Sequence, residues 1–255
     1  MSKNIKSLAI LALAVTMITA CSKSNQTPVV PQLQQDNSKQ VLAYIQHLGF
    51  PASSIQENKN EYIVEEDILF PKNMKVPVDD GKPKTEQYYT GASTLLTLAN
   101  SMNIRLKVDP SMNSMMAEIN SAINQWNTVP ATSIHWTIVT GTSYDVYIQN
   151  ANLGSGICGQ GTFPSGGAAG GLIRINIAQI AGNSFAQRQR TITHEMGHCI
   201  SFRHTNWAAI GEPFAAAVPG VGGTDASSIM NGGQCGSGAT VLSTKDKQAT
   251  SALYP

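Results

Sequence analysis

The sequence has little charge, few aromatic residues and no long apolar run. Charged residues make up 13% and aromatic residues 6% of its 255 positions, and the formal net charge is +1. A chain that is nearly neutral has no excess of positive charge with which to bind nucleic acid, so binding of nucleic acid through bulk charge is excluded. The apolar run at Ser7–Ala20 has only 14 residues, too few to cross a bilayer as a helix.

This apolar run indicates the core of a signal peptide, because Lys3 and Lys6 precede it. It ends in Ala20-Cys21, which resembles the lipobox of bacterial lipoproteins, where the cysteine is lipidated. The resemblance predicts a lipid on Cys21 and a location in the bacterial cell envelope, anchored to the outer membrane. An ordinary secretory signal that ends near Ala20 is the alternative.

Composition divides the chain into four segments. Residues 1–20 form the predicted signal peptide, and the polar residues 21–36 predict a flexible tether. Residues 37–90 hold a short amphipathic helix candidate near 41–48, a strand candidate at Glu61–Phe70 and a loop rich in proline and lysine. Residues 91–255 hold the remaining periodic elements and form the predicted main domain.

Apolar periodicity predicts the elements of that main domain. Alternation predicts strands over 103–108, 133–140, 144–149 and 172–177, and residues 112–126 have helical spacing. His135 lies in one of these strands and is interpreted as a packed or surface side chain, not a ligand. The glycine-rich stretches 141–171 and 211–238 predict loops, where sites are usually carried.

The segment between the two glycine-rich stretches contains three of the five histidines. On a helix His194 and His198 lie one turn apart on one face, so both imidazoles can reach one metal ion, and Glu195 flanks it. His204 can be a third ligand only if the helix ends near residues 200–202 and the chain doubles back. Three protein ligands with an open fourth position are typical of a catalytic zinc site, since a structural site is closed by a fourth ligand.

These residues carry a family resemblance. His-Glu-x-x-His-x-x-x-x-x-His, followed 26 residues later by the turn Ser228–Asn231 around Met230, resembles the metzincin zinc peptidases. HEMGHCISFRHT is most similar to the bacterial dual-action HEIGH metallopeptidases. The resemblance implies an α+β, zincin-like catalytic domain over residues 91–255. Its features would be a twisted mixed five-stranded sheet, an active-site helix and a C-terminal helix near 243–253.

The resemblance also implies a function and roles for particular residues. One Zn²⁺ would be held by His194, His198 and His204 above an apolar floor at Met230, and Glu195 would be the general base and then the general acid of a zinc endopeptidase. Strand 172–177 would form the cleft edge that pairs with a protein or peptide substrate. The sequence departs from the metzincin pattern at two positions. Ser201 stands where the family usually has glycine, and Gly232 stands where some members have a tyrosine ligand.

Two other classes of function remain open at this point. One is a surface-anchored binding or adhesion lipoprotein that retains a structural zinc site, although such a site needs no general base. The other is a zinc hydrolase that acts on something other than peptides.

The remaining three cysteines allow at most one disulfide in an oxidising compartment. A bridge between Cys158 and Cys199 would tie a glycine-rich loop to the active-site helix and is the predicted pairing. Cys235, just after the methionine turn, is the competing partner.

Residues 37–90 are short for an independent core and are predicted to be a pro-segment or a supporting subdomain. Secreted peptidases of this clan often carry N-terminal segments that block the zinc with a cysteine or an aspartate. This segment has no cysteine, so Asp79 and Asp80 are the candidates for such a role. The alternative is that both are solvated linker charges.

Overall fold

The computed structural model describes residues 37–76, 95–212 and 215–255. One mixed sheet of eight strands runs through this part of the chain, in the order β1-β2-β3-β7-β8-β6-β4-β5. Its strands are β1 Ile55–Glu57, β2 Glu61–Val64, β3 Ile68–Pro71, β4 Ile104–Val108, β5 Trp136–Val139, β6 Val146–Asn150, β7 Gly159–Thr162 and β8 Leu172–Ile175. The class is therefore mixed α+β, as predicted.

Six α-helices accompany the sheet in the described ranges. They are α1 Ser38–His47, α2 Leu98–Ser101, α3 Met116–Asn127, α4 Ile177–Ile180, α5 Phe185–His198 and α6 Thr244–Leu253. The helix predicted over 112–126 begins instead with a 3₁₀ turn at Pro110–Met115, because Pro110 follows the capping residue Asp109. The indole of Trp126 stacks on Phe202 and donates a hydrogen bond to the Thr193 carbonyl, which ties α3 to α5.

The sheet has more strands than the predicted five, and the extra ones come from the N-terminal segment. Strands β4 to β8 form five adjacent positions, and β1, β2 and β3 extend them from β7 outward. The expected single strand at Glu61–Phe70 is wrong, because β2 and β3 form an antiparallel hairpin. Its turn is Glu65-Glu66-Asp67, in which both glutamates have positive φ. Three consecutive acidic residues favour a turn, since such side chains are depleted in strands.

The predicted cleft-edge strand at 172–177 also needs correction. β8 ends at Ile175 and lies between β6 and β7 in the interior of the sheet. The strand beside the active-site helix is β7, which pairs antiparallel with β8 and parallel with β3. β7 reads Gly-Gln-Gly-Thr, a composition that the sequence analysis assigned to a loop.

The predicted disulfide between Cys158 and Cys199 is wrong, because Cys158 pairs with Cys235 across a Cα–Cα distance of 5.6 Å. Cys199 follows the last residue of α5 and is fully buried in the hydrophobic core as a free thiol. Apolar core residues surround the Cys199 thiol. Cys158 and Cys235, in contrast, both line one cavity.

Removing this disulfide should destabilise the protein. The bridge closes a loop across a sequence separation of 77 residues, worth about 4 kcal/mol in the chain-entropy model. We expect the double variant Cys158→Ser/Cys235→Ser to lose about that much free energy of unfolding in denaturant titration. Cys199→Ser is the comparison, since it changes a cysteine without breaking a bridge. Equal stability of the double variant and the wild type under oxidising conditions would contradict the bridge.

Several predictions lie outside the described residues: the signal peptide, the lipid on Cys21, the tether, and Asp79 and Asp80. Within the described ranges, none of the helices is long and apolar enough to cross a membrane.

Candidate metal centre

Helix α5 carries the first two histidines and ends so that the third can join them. Ser184 caps its start by accepting a hydrogen bond from the Gln187 N–H. After His198 the chain turns back through Ser201, whose φ is 80°. Ser201, which stands where the family usually has glycine, thus adopts the left-handed backbone region. A non-glycine residue there costs about 1–2 kcal/mol of conformational free energy.

The three imidazoles meet at their Nε2 atoms. His194 Nε2 lies 3.1 Å from His198 Nε2 and 3.1 Å from His204 Nε2. All three side chains are buried, and burial lowers the pKa of His194 to about 3, so that this imidazole is neutral. Burial acts to lower the pKa of His204, but the Asp67 and Glu212 carboxylates outweigh it and raise that pKa well above its usual range. Imidazoles whose Nε2 atoms converge on one point can share a metal ion once they are deprotonated.

Each of these imidazoles is oriented through its other nitrogen. His194 Nδ1 lies 2.8 Å from the Ile229 carbonyl and His198 Nδ1 lies 2.7 Å from the Phe202 carbonyl. His204 Nδ1 lies 2.6 Å from Glu212 Oε1. When Nδ1 donates its proton to such acceptors, the Nε2 lone pair is left for a metal, which is the usual arrangement around ligating histidines. The residues present therefore fit a zinc ion.

A fourth possible ligand comes from the N-terminal hairpin. Asp67 Oδ2 lies 2.8 Å from His204 Nε2, 3.7 Å from His198 Nε2 and 3.8 Å from His194 Nε2. Asp67 and the three histidines form a group that could hold a metal ion. The other Asp67 oxygen is buried without a hydrogen-bond partner. An aspartate thus occupies the side of the histidine cluster that sequence analysis expected to be open.

Glu195 points into the cavity next to this cluster. The cavity has a volume of about 270 Å³, and Asp67, His194 and Glu195 contribute to its wall. Burial and the neighbouring Asp67 carboxylate raise the pKa of Glu195 well above its usual range. A Cβ atom on Gly159 would lie 2.6 Å from Glu195 Oε1, so β7 can approach the carboxylate only because it has glycine there.

The methionine turn lies beneath the cluster. A Cβ on Gly197 would collide with the Met230 thioether, so glycine in the helix permits close approach of the turn. Asp246 of α6 accepts hydrogen bonds from the Ser228 hydroxyl and the Ile229 N–H. The C-terminal helix implied by the resemblance is found as α6, and Met230 lies against Gly197 of α5.

Three residues near the cluster were missed by the sequence analysis: Asp67, Glu212 and Arg190. Asp67 and Glu212 lie in segments without ligand spacing, and only the acidic run at 65–67 carried a signal. Arg190 could have been found, because it lies one helical turn before His194 and therefore on the same face.

The fold and the histidine cluster together define a metallopeptidase. The chain matches the model of the dual-action HEIGH metallo-peptidase family over residues 63–252, and it belongs to that family. It is therefore a metallopeptidase that acts on proteins or peptides.

The chain is also similar to several solved structures. Two structures of myroilysin are 16% and 15% identical; one match covers 64% of this chain and 96% of myroilysin, the other 70% and 94%, with TM-scores of 0.45 and 0.43. High choriolytic enzyme 1, a hatching-enzyme zinc-protease from the medaka fish Oryzias latipes, is 16% identical over 64% of this chain and 96% of that chain, with a TM-score of 0.45. No curated protein matches the sequence.

Proposed function

We propose that the protein is a zinc endopeptidase in which His194, His198 and His204 bind the metal and Glu195 is the general base and acid. The observation that carries this proposal is that the Nε2 atoms of three histidines converge on one point. The Nδ1 atom of each of these histidines already has an oxygen acceptor. A glutamate with an unpartnered buried oxygen beside them adds the group that proton transfer needs.

Zinc, when bound here, would acidify a water molecule and polarise the scissile carbonyl. Glu195 would be placed to accept a proton from the attacking water and to deliver it to the leaving amine. Its position against Gly159 holds it at the cavity wall, within reach of the reacting bond. The edge of β7 that pairs with β3 would supply backbone groups for an extended substrate once the N-terminal hairpin is displaced, in the strand-addition mode of peptide recognition.

The test uses the full chain, zinc and a peptide blocked at both ends. An endopeptidase cuts such a peptide internally, whereas an exopeptidase does not cut it. Mass spectrometry of the products should show internal cleavage that stops when a chelator removes the metal. If neither the wild-type chain nor the Asp67→Ala variant cleaves the blocked peptide internally, the proposal is overturned.

A change at Gly159 should affect catalysis alone. The new methyl group of Gly159→Ala would push the Glu195 carboxylate from its position, and misplacement by about 1 Å can cost about a hundredfold in rate. We expect kcat to fall on that scale with unchanged zinc content. Gly182→Ala is the control, because a Cβ there meets nothing within 4 Å. An unchanged kcat for Gly159→Ala would show that this glycine does not position the carboxylate.

The N-terminal segment is part of the proposal as a pro-segment that keeps the site closed. Asp67 fills the fourth position, and β3, which follows it directly, pairs along the β7 edge. Two arginines of the main domain bind this hairpin: Arg174 pairs bidentately with Glu61, and Arg203 pairs with the buried Glu65. The β7 edge is therefore unavailable to a substrate while the hairpin stays in place.

The same observation supports a second candidate. If Asp67 is a permanent ligand, four protein ligands close the metal site, as in a structural zinc site. A binding or adhesion lipoprotein would need no more than that. The two candidates differ in what happens when Asp67 is removed: the peptidase gains activity, whereas the structural site loses a ligand.

The location is proposed from the sequence. Cys21 would carry lipid and tether the enzyme to the bacterial outer membrane. We expect Cys21→Ala to release the protein or to leave an unprocessed precursor, as seen by membrane fractionation and the mass of the mature chain. Unchanged fractionation with normal processing would refute the tether.

A further inference from the structure

Arg190 is the exception among the five arginines of the chain. The other four, Arg105, Arg174, Arg188 and Arg203, each pair with a carboxylate. Arg190 instead donates hydrogen bonds only to neutral acceptors, the carbonyls of Ile229, Asn231 and Gln234 and the Gln234 side-chain amide. Its Nε is buried without a partner. In the described ranges, no carboxylate forms a salt bridge with this guanidinium.

This cation is nevertheless buried, with 4% of its surface exposed. Burial lowers the pKa of Arg190 to about 10, so it remains charged at neutral pH. A buried charge whose hydrogen-bond acceptors are all neutral is costly. The Glu195 and Asp246 carboxylates attract Arg190 without forming a salt bridge with it, and burial outweighs their effect on its pKa. An anion brought close to Arg190 would offset that cost.

The cavity offers a route for such an anion. His194 and Glu195 line the part of its wall where the scissile bond would lie, and Arg190 and Gln234 line it as well. The disulfide cysteines lie on the wall, and Gly232 and Gly233 contribute no side chains that would fill the space. A substrate side chain next to the scissile bond can therefore extend from Glu195 toward Arg190.

Resting on the proposed function, we propose that Arg190 makes the enzyme select substrates with an acidic residue directly adjacent to the scissile bond. The carboxylate of that aspartate or glutamate enters the cavity and forms the salt bridge that the Arg190 guanidinium lacks, with the unpartnered Nε as one donor. The Gln234 amide and the carbonyls of residues 229 and 231 hold the guanidinium in place. Arg190 is thus a specificity-determining residue, distinct from the metal ligands.

The experiment measures binding and cleavage separately. The zinc-loaded full chain carrying Asp67→Ala is titrated calorimetrically with peptide hydroxamates that differ only in the side chain next to the metal-binding group: glutamate, glutamine, leucine or lysine. Hydrogen bonds to a charged group are typically worth about ten- to hundredfold in affinity, so the glutamate ligand should bind at least about tenfold more tightly than the glutamine ligand. Cleavage of a blocked peptide library should show the same preference.

Two helix arginines provide the variant and its control. Arg190→Gln should abolish the preference for glutamate over glutamine and leave binding of the glutamine ligand intact. Arg188→Gln removes a charge from the same helix, at a side chain that pairs with Glu118, and should keep the preference. Equal binding of the glutamate and glutamine ligands by the Arg190-containing protein overturns the proposal, even if Arg190→Gln does not fold. Binding with acid preference but no cleavage of any peptide would instead count against the proposed function.

Discussion

Replacing Glu195 by glutamine should lower peptide cleavage by about a hundred- to ten-thousandfold, the usual contribution of a general acid–base group. Glutamine keeps the shape of the side chain but cannot accept the proton of the attacking water. Zinc content should stay at one ion per chain, because the three imidazoles and their Nδ1 acceptors are untouched. Metal analysis and initial rates on a blocked peptide measure the two effects on the same sample.

The matched control for this variant is Glu57→Gln, an exposed glutamate in β1. It should cleave at the wild-type rate. If Glu195→Gln cleaves as fast as the control, the assignment of the general base is wrong. If it loses zinc as well as activity, Glu195 also helps to build the metal site.

Replacing Asp67 by alanine should raise the activity of the full chain. The carboxylate that lies 2.8 Å from His204 Nε2 would be gone, and the fourth position would open to water and substrate. The minor state of a two-state equilibrium, here the site open to substrate, is commonly populated at about 0.1–10%. Opening the site fully should therefore raise the initial rate about ten- to thousandfold. Initial rates on a blocked peptide, with zinc content measured in parallel, test this.

Glu66→Gln is the control, because it changes the exposed neighbour of Asp67 in the same turn. It should leave the latent state as it is. An Asp67→Ala protein that keeps zinc but gains no activity would make the hairpin a supporting subdomain. Loss of zinc without activity would make Asp67 a permanent ligand and would favour the structural site of a binding lipoprotein.

The elements predicted from the sequence are those that depend on local patterns. The alternation at 103–108 and 144–149 is found as β4 and β6. The helix near 243–253, which the family resemblance implied, is found as α6 with Ser243 as its cap. The helix face shared by His194 and His198 follows from the 3.6-residue period alone. These outcomes need no knowledge of distant parts of the chain.

The missed features depend on residues that are far apart in sequence. Asp67 meets His204 across 137 positions, and no periodicity links the two. The Cys158–Cys235 pairing likewise depends on which loops line one cavity. β7 lacks the β-branched composition of a strand, and it becomes one because glycine lets its backbone lie against Glu195.

The link between α6 and the methionine turn sets an order of assembly for the metal centre. Asp246 holds the backbone N–H of Ile229, and the carbonyl of the same residue orients His194. The first histidine can therefore be fully oriented only after α6 has formed and packed against the methionine turn. Tight metal uptake would accordingly follow the docking of α6, so that a molecule without this helix stays a poor zinc binder even with every ligand present.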